Sequence, residues 1–251
     1  STQQLISDCN FQLPLAKIHL MSNFMLSTSK ELVLRLALLL SLLSSTGIAY
    51  AETSRDILLG VANKCLDTKM DNYCSSCSIP RTDSPCDSQG QCRLSLDLWS
   101  LSDEFASFRD AKMCGCSVDF VHGLTIPRET VTGVEDPRRP DAIWDFAWRV
   151  GLEKIPEAEL ALVVNPKNKR SQDQLHVHML RYHHERLPDM YQYQAGEVSD
   201  LKTVWHLARE YADQKSWSDY GVLVIRSKRT EYSVFVTPFN SEHAFTKYRC
   251  N

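Results

Sequence analysis

The sequence predicts an α+β fold built on an antiparallel sheet. Two pairs of short apolar runs are each joined by a polar turn, which indicates two β-hairpins. Two other segments repeat apolar residues at helical spacing, which indicates helices packed against that sheet. The formal charge of −3 carries no polycationic signature, so no nucleic-acid partner is predicted.

Residues 30–51 have the composition of a signal peptide. A basic start is followed by the apolar run 36–43 and by the small residues Ala49 and Ala51. A membrane-spanning helix needs about 20 apolar residues, and the uncharged run here is shorter. Cleavage before Glu52 is therefore favoured over an uncleaved N-terminal anchor, which a tilted helix or a thinned bilayer still allows.

Both interpretations export residues 52–251, which form the predicted functional domain. Residues 1–24 show no periodicity and precede the basic start, so Met25 is the better candidate for the first residue of the natural protein. Residues 1–51 are accordingly interpreted as a misassigned leader followed by a signal peptide or an N-terminal anchor.

Eight cysteines remain once Cys9 is set aside with the leader. An even number in an exported chain predicts disulfide bonds, whose pairing the sequence leaves open. Zinc is the alternative, because the Cys-Ser-Ser-Cys motif at 74–77 and the Cys-Gly-Cys motif at 114–116 have the spacing of ligand pairs. Turn-forming residues are dense in the same region, which is interpreted as a Cys-rich N-terminal excursion over about 67–116.

The domain after this excursion is predicted to begin with a strand and a helix. The strand covers 119–126 and stops at Pro127. The helix starts at Asp141, and its apolar stripe, which includes Trp144 and Trp148, is expected to pack in the core.

The rest of the domain is predicted as two hairpins separated by one amphipathic helix. The hairpins are formed by apolar runs at 159–164 with 174–180 and at 220–225 with 232–236. The helix covers 201–211, with Ser199 or Asp200 as its cap.

Alternation along 174–180 divides that strand into two faces. Leu175 and Val177 point to one side, whereas Gln174, His176 and His178 point to the other. Two histidines at this spacing are most often structural, and they also lie close enough to bind a single metal ion. The spacing by itself therefore leaves structure, metal binding and catalysis open.

The first hairpin resembles the signature of the histidine-triad (HIT) superfamily. Asn165 leaves the first strand, Ser171 lies five residues before His176, and the triad segment reads Gln174-Leu-His-Val-His178. In that superfamily the middle triad residue is a nucleophile that attacks the α-phosphate of a nucleotide conjugate, and here that position is His176. The chain departs from the pattern at Gln174, where the superfamily has histidine, although an amide can still serve in a hydrogen-bond network.

A longer set of motifs is similar to the bacterial CDP-diacylglycerol pyrophosphatase family. The motifs are, in order, His122-Gly-Leu-Thr-Ile-Pro127, Thr132-Gly-Val-Glu-Asp-Pro137, Ile143-Trp-Asp-Phe-Ala-Trp148, Leu162-Val-Val-Asn165, the triad strand, Tyr220-Gly-Val-Leu-Val-Ile225 and the terminal Cys250. The resemblance covers about 119–251 and leaves the Cys-rich excursion unassigned. It implies a HIT-like antiparallel sheet with flanking helices. The implied reaction, part of phospholipid metabolism, is hydrolysis of CDP-diacylglycerol to CMP and phosphatidate through a nucleotidyl-histidine intermediate.

The same resemblance implies roles for individual residues and a location for the protein. The implied catalytic residues are His176, His178 and Gln174, and the implied substrate-binding residues are Asn165, Ser171, Arg170 and His122. Neither a cofactor nor a metal is implied. The implied partners are CDP-diacylglycerol or another nucleotide conjugate, the membrane surface and a second copy of the chain. The domain would lie in the periplasm, or be anchored in the inner membrane facing the periplasm.

Two other functions remain open from the sequence. A HIT-type hydrolase or transferase acting on a soluble nucleotide conjugate would share this site and differ only in the leaving group. An exported disulfide-rich binding module would instead use the histidine pair for structure or for a metal ion.

Overall fold

Eight antiparallel strands form one sheet across the residues that the structure, a computed structural model, describes: 55–87 and 91–250. The order across the sheet is β1-β2-β3-β5-β4-β7-β8-β6. The strands are β1 (Leu98–Leu101), β2 (Phe105–Arg109), β3 (His122–Pro127), β4 (Leu160–Val164), β5 (Val177–Arg181), β6 (Gln194–Val198), β7 (Gly221–Lys228) and β8 (Glu231–Thr237). The strand that carries the histidine motif, β5, therefore lies inside the sheet between β3 and β4.

Helices cover both faces of this sheet. Within the described residues they are α1 (Ile57–Lys64), α2 (Tyr73–Ser76), α3 (Ile143–Leu152), α4 (Leu187–Tyr191), α5 (Val204–Gln214) and α6 (Ser241–Phe245). The prediction of an α+β fold with an antiparallel sheet is confirmed.

The predicted core helix is confirmed as α3. Trp144 is fully buried and Trp148 nearly so, which places both indoles in the core as expected. The helix continues one residue past Gly151. A Cβ on Gly151 would lie 2.9 Å from the Leu160 side chain, so this glycine allows α3 to pack closely on β4.

Both predicted hairpins are also confirmed, but one strand begins later than predicted. Strand β5 begins at Val177 and not at Gln174. The reason is that the Leu175 amide donates to the Val131 carbonyl oxygen at 2.6 Å, so the start of this run pairs with a loop instead of with β4. The predicted cap Asp200 accepts a hydrogen bond from the Lys202 amide in the 3-10 turn that precedes α5.

The interpretation of residues 67–116 as an excursion outside the sheet is wrong for its second half. Strands β1 and β2 lie there, and β2 pairs along its whole length with β3. The sequence shows no alternation at Phe105–Phe108 because both faces of β2 are buried. Strand β6 was also missed, since it is a half-exposed edge strand with Gly196 at an irregularity.

The two faces of the sheet differ in how they are covered. One face packs against α3 and α5 in a single large apolar core. The opposite face carries two smaller apolar clusters, one under α1 and the disulfide-bonded segment, the other under α4 and α6. Register places His178 opposite Leu124 and Val163, so the histidines lie on this second face between the two clusters.

Four disulfide bonds account for all eight cysteines of the predicted domain. They are Cys65–Cys77, Cys74–Cys86, Cys92–Cys114 and Cys116–Cys250. The prediction of disulfides is confirmed, and the zinc alternative at these cysteines is wrong. The last bond joins the C-terminal segment to the loop before β3.

The predicted leader and signal segment, residues 1–51, lie outside the described residues. Among the helices within 55–87 and 91–250, none is both long and apolar enough to cross a membrane.

Candidate active site

His176 lies immediately before β5, on the face of the sheet that carries the two smaller clusters. Its Nδ1 is 2.7 Å from the main-chain carbonyl oxygen of Gln174. A carbonyl can only accept, so Nδ1 carries the proton and Nε2 keeps a free lone pair. Burial lowers the pKa of the His176 imidazole, so the ring is neutral at neutral pH. These are the properties that a nucleophilic histidine needs.

Gln174 acts here through its backbone. Its side-chain amide donates to the carbonyl oxygens of Pro127 and Glu129, at 2.9 and 2.8 Å, and accepts from the Val131 amide at 3.3 Å. Within the described chain no hydrogen bond joins this amide to a histidine. The predicted triad partner therefore anchors the loop after β3, while its main-chain carbonyl orients His176.

His122 and His178 form a hydrogen-bonded pair under the sheet surface. The Nδ1 of His122 lies 3.2 Å from the Tyr248 carbonyl oxygen, and its Nε2 lies 2.9 Å from the Nδ1 of His178. The carbonyl fixes the direction of both bonds: His122 donates to Tyr248 and accepts from His178. Burial lowers the pKa of both imidazoles, most strongly that of His178.

Glu242, from α6, is the centre of this buried cluster. Its carboxylate accepts from the Lys112 ammonium at 2.6 Å and from the Asn165 amide at 2.7 Å. The Nε2 of His178 lies 3.5 Å from the same carboxylate. Burial would raise the pKa of the Glu242 carboxyl, but the charge of the Lys112 ammonium and its hydrogen bond hold that pKa below its usual range.

The sequence did not reveal Lys112 or Glu242 as site residues. Lys112 lies in a 3-10 turn inside the Cys-rich region, and Glu242 lies 130 positions further along the chain. Neither belongs to a motif, so no local signal could have indicated their contact. Asn165, by contrast, was predicted, but its donor is directed to Glu242, and its buried Oδ1 has no hydrogen-bond partner among the described residues.

A cavity of about 220 Å³ opens beside the histidines. His176, His178, Ser171, Asp110 and Lys112 are among the residues that line it, and we call the part of the lining that they form the polar end. Ser171 is exposed there, and about a third of the Lys112 side chain is accessible, so both can reach a ligand. Of the predicted site residues, His176, His178 and Ser171 thus share one accessible site.

Arg170 is directed away from that cavity. Its guanidinium makes two 2.7 Å hydrogen bonds to the Glu135 carboxylate and a longer contact of 3.3 Å to Asp173. It is not among the residues that line the cavity. In the structure its ion pair joins the segment before β5 to the loop after β3, and the contact of Arg170 with a substrate stays a prediction.

Asp110, His122 and His178 could together hold a metal ion. Each offers one ligand atom, and the three atoms lie within 4.8 Å of one another. Two of them, His122 Nε2 and His178 Nδ1, already share a hydrogen bond. The Lys112 ammonium adds a positive charge beside the cluster, which opposes binding of a cation.

Fold and site together define a class: an α+β protein whose antiparallel sheet presents a neutral, backbone-oriented histidine at a cavity, next to an accessible lysine paired with a buried glutamate. Residues 100–205 match the family model described as CDP-diacylglycerol pyrophosphatase. That range includes every predicted site residue, together with Lys112. The predicted resemblance to this family is confirmed.

Curated relatives with the same description come from mycobacteria. The chain is 37% identical over 68 residues to the CDP-diacylglycerol pyrophosphatase of Mycobacterium bovis BCG Pasteur and to the probable CDP-diacylglycerol pyrophosphatase of Mycobacterium tuberculosis H37Rv. It is 38% identical over 68 residues to the probable enzyme of Mycobacterium leprae. These alignments cover 22% of this chain and 25 to 26% of the relatives, so the chain spans about a quarter of their length.

Proposed function

We propose that this protein hydrolyses the pyrophosphate of CDP-diacylglycerol to CMP and phosphatidate, with His176 as the nucleophile. The observation that carries the proposal is the Nδ1–carbonyl bond of His176, which leaves Nε2 neutral and unprotonated at the cavity. The family match supports the substrate.

The reaction proceeds in two displacements. His176 Nε2 attacks the phosphorus of the CMP moiety, an N–P bond forms, and the P–O bond to phosphatidate breaks. Phosphatidate departs as an anion. Water then attacks the same phosphorus, the N–P bond breaks, and CMP leaves while the proton of water passes to solvent.

Lys112 contributes charge in this mechanism. It lies at the polar end of the cavity, where its ammonium can approach the non-bridging oxygens of the pyrophosphate. Glu242 holds that ammonium in place at 2.6 Å. Because the leaving group is a phosphate ester, positioning and charge neutralisation contribute more than a general acid does.

The HIT-like assignment is part of the same proposal. It is supported by the antiparallel sheet and by the position of His176 at the start of an inner strand. A backbone carbonyl also holds its ring, as the chemistry requires. In this chain Gln174 replaces the first histidine of the triad and instead anchors the loop at 127–131.

The test is release of CMP from CDP-diacylglycerol in detergent by the chain from Glu52 onward. His176→Ala should lower the rate by about 10³-fold or more. His206→Ala is the matched control, because that histidine is on the surface of α5 with its side chain 77% exposed. A CMP adduct on His176, detected by mass spectrometry after rapid quenching, would support the covalent step.

Other outcomes would contradict parts of the proposal. Activity restricted to a soluble nucleotide conjugate would exclude the lipid substrate and favour a soluble-substrate hydrolase or transferase. Full activity in the His176 variant would exclude the nucleophile.

Metal binding is the second candidate function, favoured by the juxtaposition of Asp110, His122 and His178. Protein purified without a polyhistidine tag should then contain a stoichiometric metal ion that His122→Ala removes. Absence of turnover on both substrates, together with such a metal, would favour the binding-module interpretation.

We also propose that the domain functions outside the cytoplasm, in the periplasm or anchored in the inner membrane and facing it. Four disulfide bonds support this location, because they persist in oxidising compartments. Cell fractionation tests the location and any binding to membranes, and sedimentation tests the predicted homodimer.

A further inference from the structure

The cavity beside His176 has a second end that the proposed chemistry does not use. Its wall is aliphatic and aromatic, and it is formed by Ile57, Leu58 and Val61 of α1 together with Leu96, Phe108 and Leu124. Helix α1 and the loop before β1 belong to the disulfide-bonded region, whereas Phe108 and Leu124 come from β2 and β3. We call this the apolar end of the cavity.

Polar groups near the apolar end are engaged within the protein. The Ser95 hydroxyl donates to the main-chain carbonyl oxygen of Gln91 at 2.9 Å, and the side-chain Oε1 of Gln172 accepts from the Leu58 amide at 3.0 Å. Arg109 is bound to the carbonyl oxygens of Cys92 and Ser95. A nucleotide base placed here would leave its own donors and acceptors unpaired, which costs free energy. A hydrocarbon segment has no such groups.

Charge complementarity orients a lipid phosphate in this cavity. Lys112 is at the polar end beside the histidines, with 37% of its side chain exposed. An anionic headgroup would therefore bind at the His176 end, with the attached hydrocarbon directed toward α1.

The size of the cavity limits how much of a lipid can enter. A water occupies about 30 Å³ of liquid volume, so 220 Å³ corresponds to roughly ten or fewer non-hydrogen atoms. Two long acyl chains contain several times as many atoms. Only the part of one chain nearest the glycerol fits, and the remainder stays outside, in the membrane or in a micelle.

We propose that the apolar end of the cavity, built by α1 and the disulfide-bonded segment, is an acyl subsite that binds the glycerol-proximal part of one fatty acyl chain of the substrate. This proposal rests on the proposed function and assigns the substrate's lipid part largely to α1 and Leu96, which lie outside the range that matches the family model. It gives the N-terminal Cys-rich region a role in choosing acylated over soluble nucleotide conjugates.

The first experiment compares two substrates with the same pyrophosphate: dihexanoyl CDP-diacylglycerol, used as a monomer in solution, and CDP-glycerol, which has no acyl chain. Ile57→Asn makes the subsite polar at a residue that is already 37% exposed, so the fold should tolerate it. Leu152→Asn, at a residue 41% exposed on α3, is the matched control.

The expected result is a roughly tenfold or larger rise in KM for the acylated substrate in Ile57→Asn, with CDP-glycerol unchanged. The Leu152 variant should match the wild-type chain on both substrates. Equal loss on both substrates, or no loss on either, would overturn the acyl subsite while leaving the proposed hydrolysis intact.

A binding measurement keeps the proposal testable even without turnover. Calorimetry with dihexanoyl phosphatidate and with glycerol 3-phosphate should show tighter binding of the acylated compound by the wild-type chain. Ile57→Asn should lose that preference. Equal affinity of the wild-type chain for both compounds would overturn the subsite, whatever the fate of the hydrolase assignment.

Discussion

The main-chain carbonyl of Gln174 determines which nitrogen of His176 can react. Because it accepts from Nδ1, the lone pair on Nε2 is the one available at the cavity. A similar main-chain contact, between the Tyr248 carbonyl oxygen and His122, orients the His122 ring and, through it, the ring of His178. His176 and His122 are thus each held in one tautomer by a main-chain contact that no side-chain substitution at the acceptor removes.

Burial of the three histidines gives a specific pH dependence. It lowers the pKa of His122, His176 and His178 below the ordinary value of 6.5. We expect the acid limb of kcat/KM, where His176 becomes protonated, to lie below pH 6.5. A profile that halves near pH 6.5 would contradict a buried neutral nucleophile.

The same three histidines should also make the free energy of unfolding depend on pH. As pH falls below 6.5, the unfolded chain binds protons that the folded histidines do not, so the free energy of unfolding decreases. Above pH 6.5 these residues contribute no pH dependence. Urea denaturation at a series of pH values measures this, and a free energy of unfolding that rises on acidification from pH 7 to 5.5 would contradict it.

The contribution of Lys112 to catalysis can be measured separately from its contribution to stability through Glu242. Lys112→Met should lower kcat by about 10²-fold or more and should also lower stability, because Glu242 is left buried without its cation. The double variant Lys112→Met with Glu242→Gln removes that unpaired charge. It should recover stability but not kcat.

Thermal denaturation and CMP release on the same samples make this comparison. Lys202→Met, at an exposed position, is the control and should change neither quantity. Recovery of kcat in the double variant would show that Lys112 has only a structural role.

At the scale of elements, the Arg170–Glu135 ion pair joins the loop after β3 to the segment before β5. Arg170→Ala should lower the free energy of unfolding by about 1–3 kcal/mol, since a half-buried carboxylate loses its partner. kcat/KM should fall less than tenfold, because Arg170 does not line the cavity.

An exposed ion pair provides the comparison for Arg170. Arg149→Ala breaks the i,i+4 contact with Asp145, where both side chains are more than half exposed, and should cost under about 0.5 kcal/mol. Chemical denaturation measures both variants. A loss of activity in Arg170→Ala comparable to that of His176→Ala would support the prediction that Arg170 is a substrate ligand.

Elements that bury one face and expose the other were predictable from the sequence. Strands that are buried on both faces, or that lie exposed at the edge of the sheet, were not. The stripe containing Trp144 and Trp148 indicated α3 because one face of that helix is buried. Strand β2 has no alternation, because α1 covers one face of the sheet there and α3 covers the other. Strand β6 was missed for a different reason: it is only partly buried, so its sequence needs few apolar residues and shows no clear alternation.

At the scale of the whole molecule, the Cys116–Cys250 bond closes a loop with a sequence separation of 134 residues. It fixes the C-terminal segment whose Tyr248 carbonyl binds His122. Replacing both cysteines by serine should lower the free energy of unfolding by about 2–5 kcal/mol. It should also reduce CMP release, because His122 and Glu242 depend on that segment.

The Cys74–Cys86 bond, with a separation of 12 residues, serves as the comparison. Chain entropy predicts that its removal costs about 2 kcal/mol less than removal of the long-range bond. Calorimetry measures both double variants. An equal loss of stability would indicate that local packing, and not loop closure, dominates these bonds.

The sequence alone determined the fold class, the presence of disulfides, the strand with the histidine pair and the likeness to a pyrophosphatase family. These follow from local properties: side-chain alternation, an even cysteine count and short motifs such as that ending at His178. The tertiary structure alone decided that Glu242 and Lys112 join the histidines and that Arg170 does not. It also placed α1 against the cavity. The physical reason is that these contacts depend on strand order and on long-range packing, which bring together residues whose separation along the chain carries no local signal.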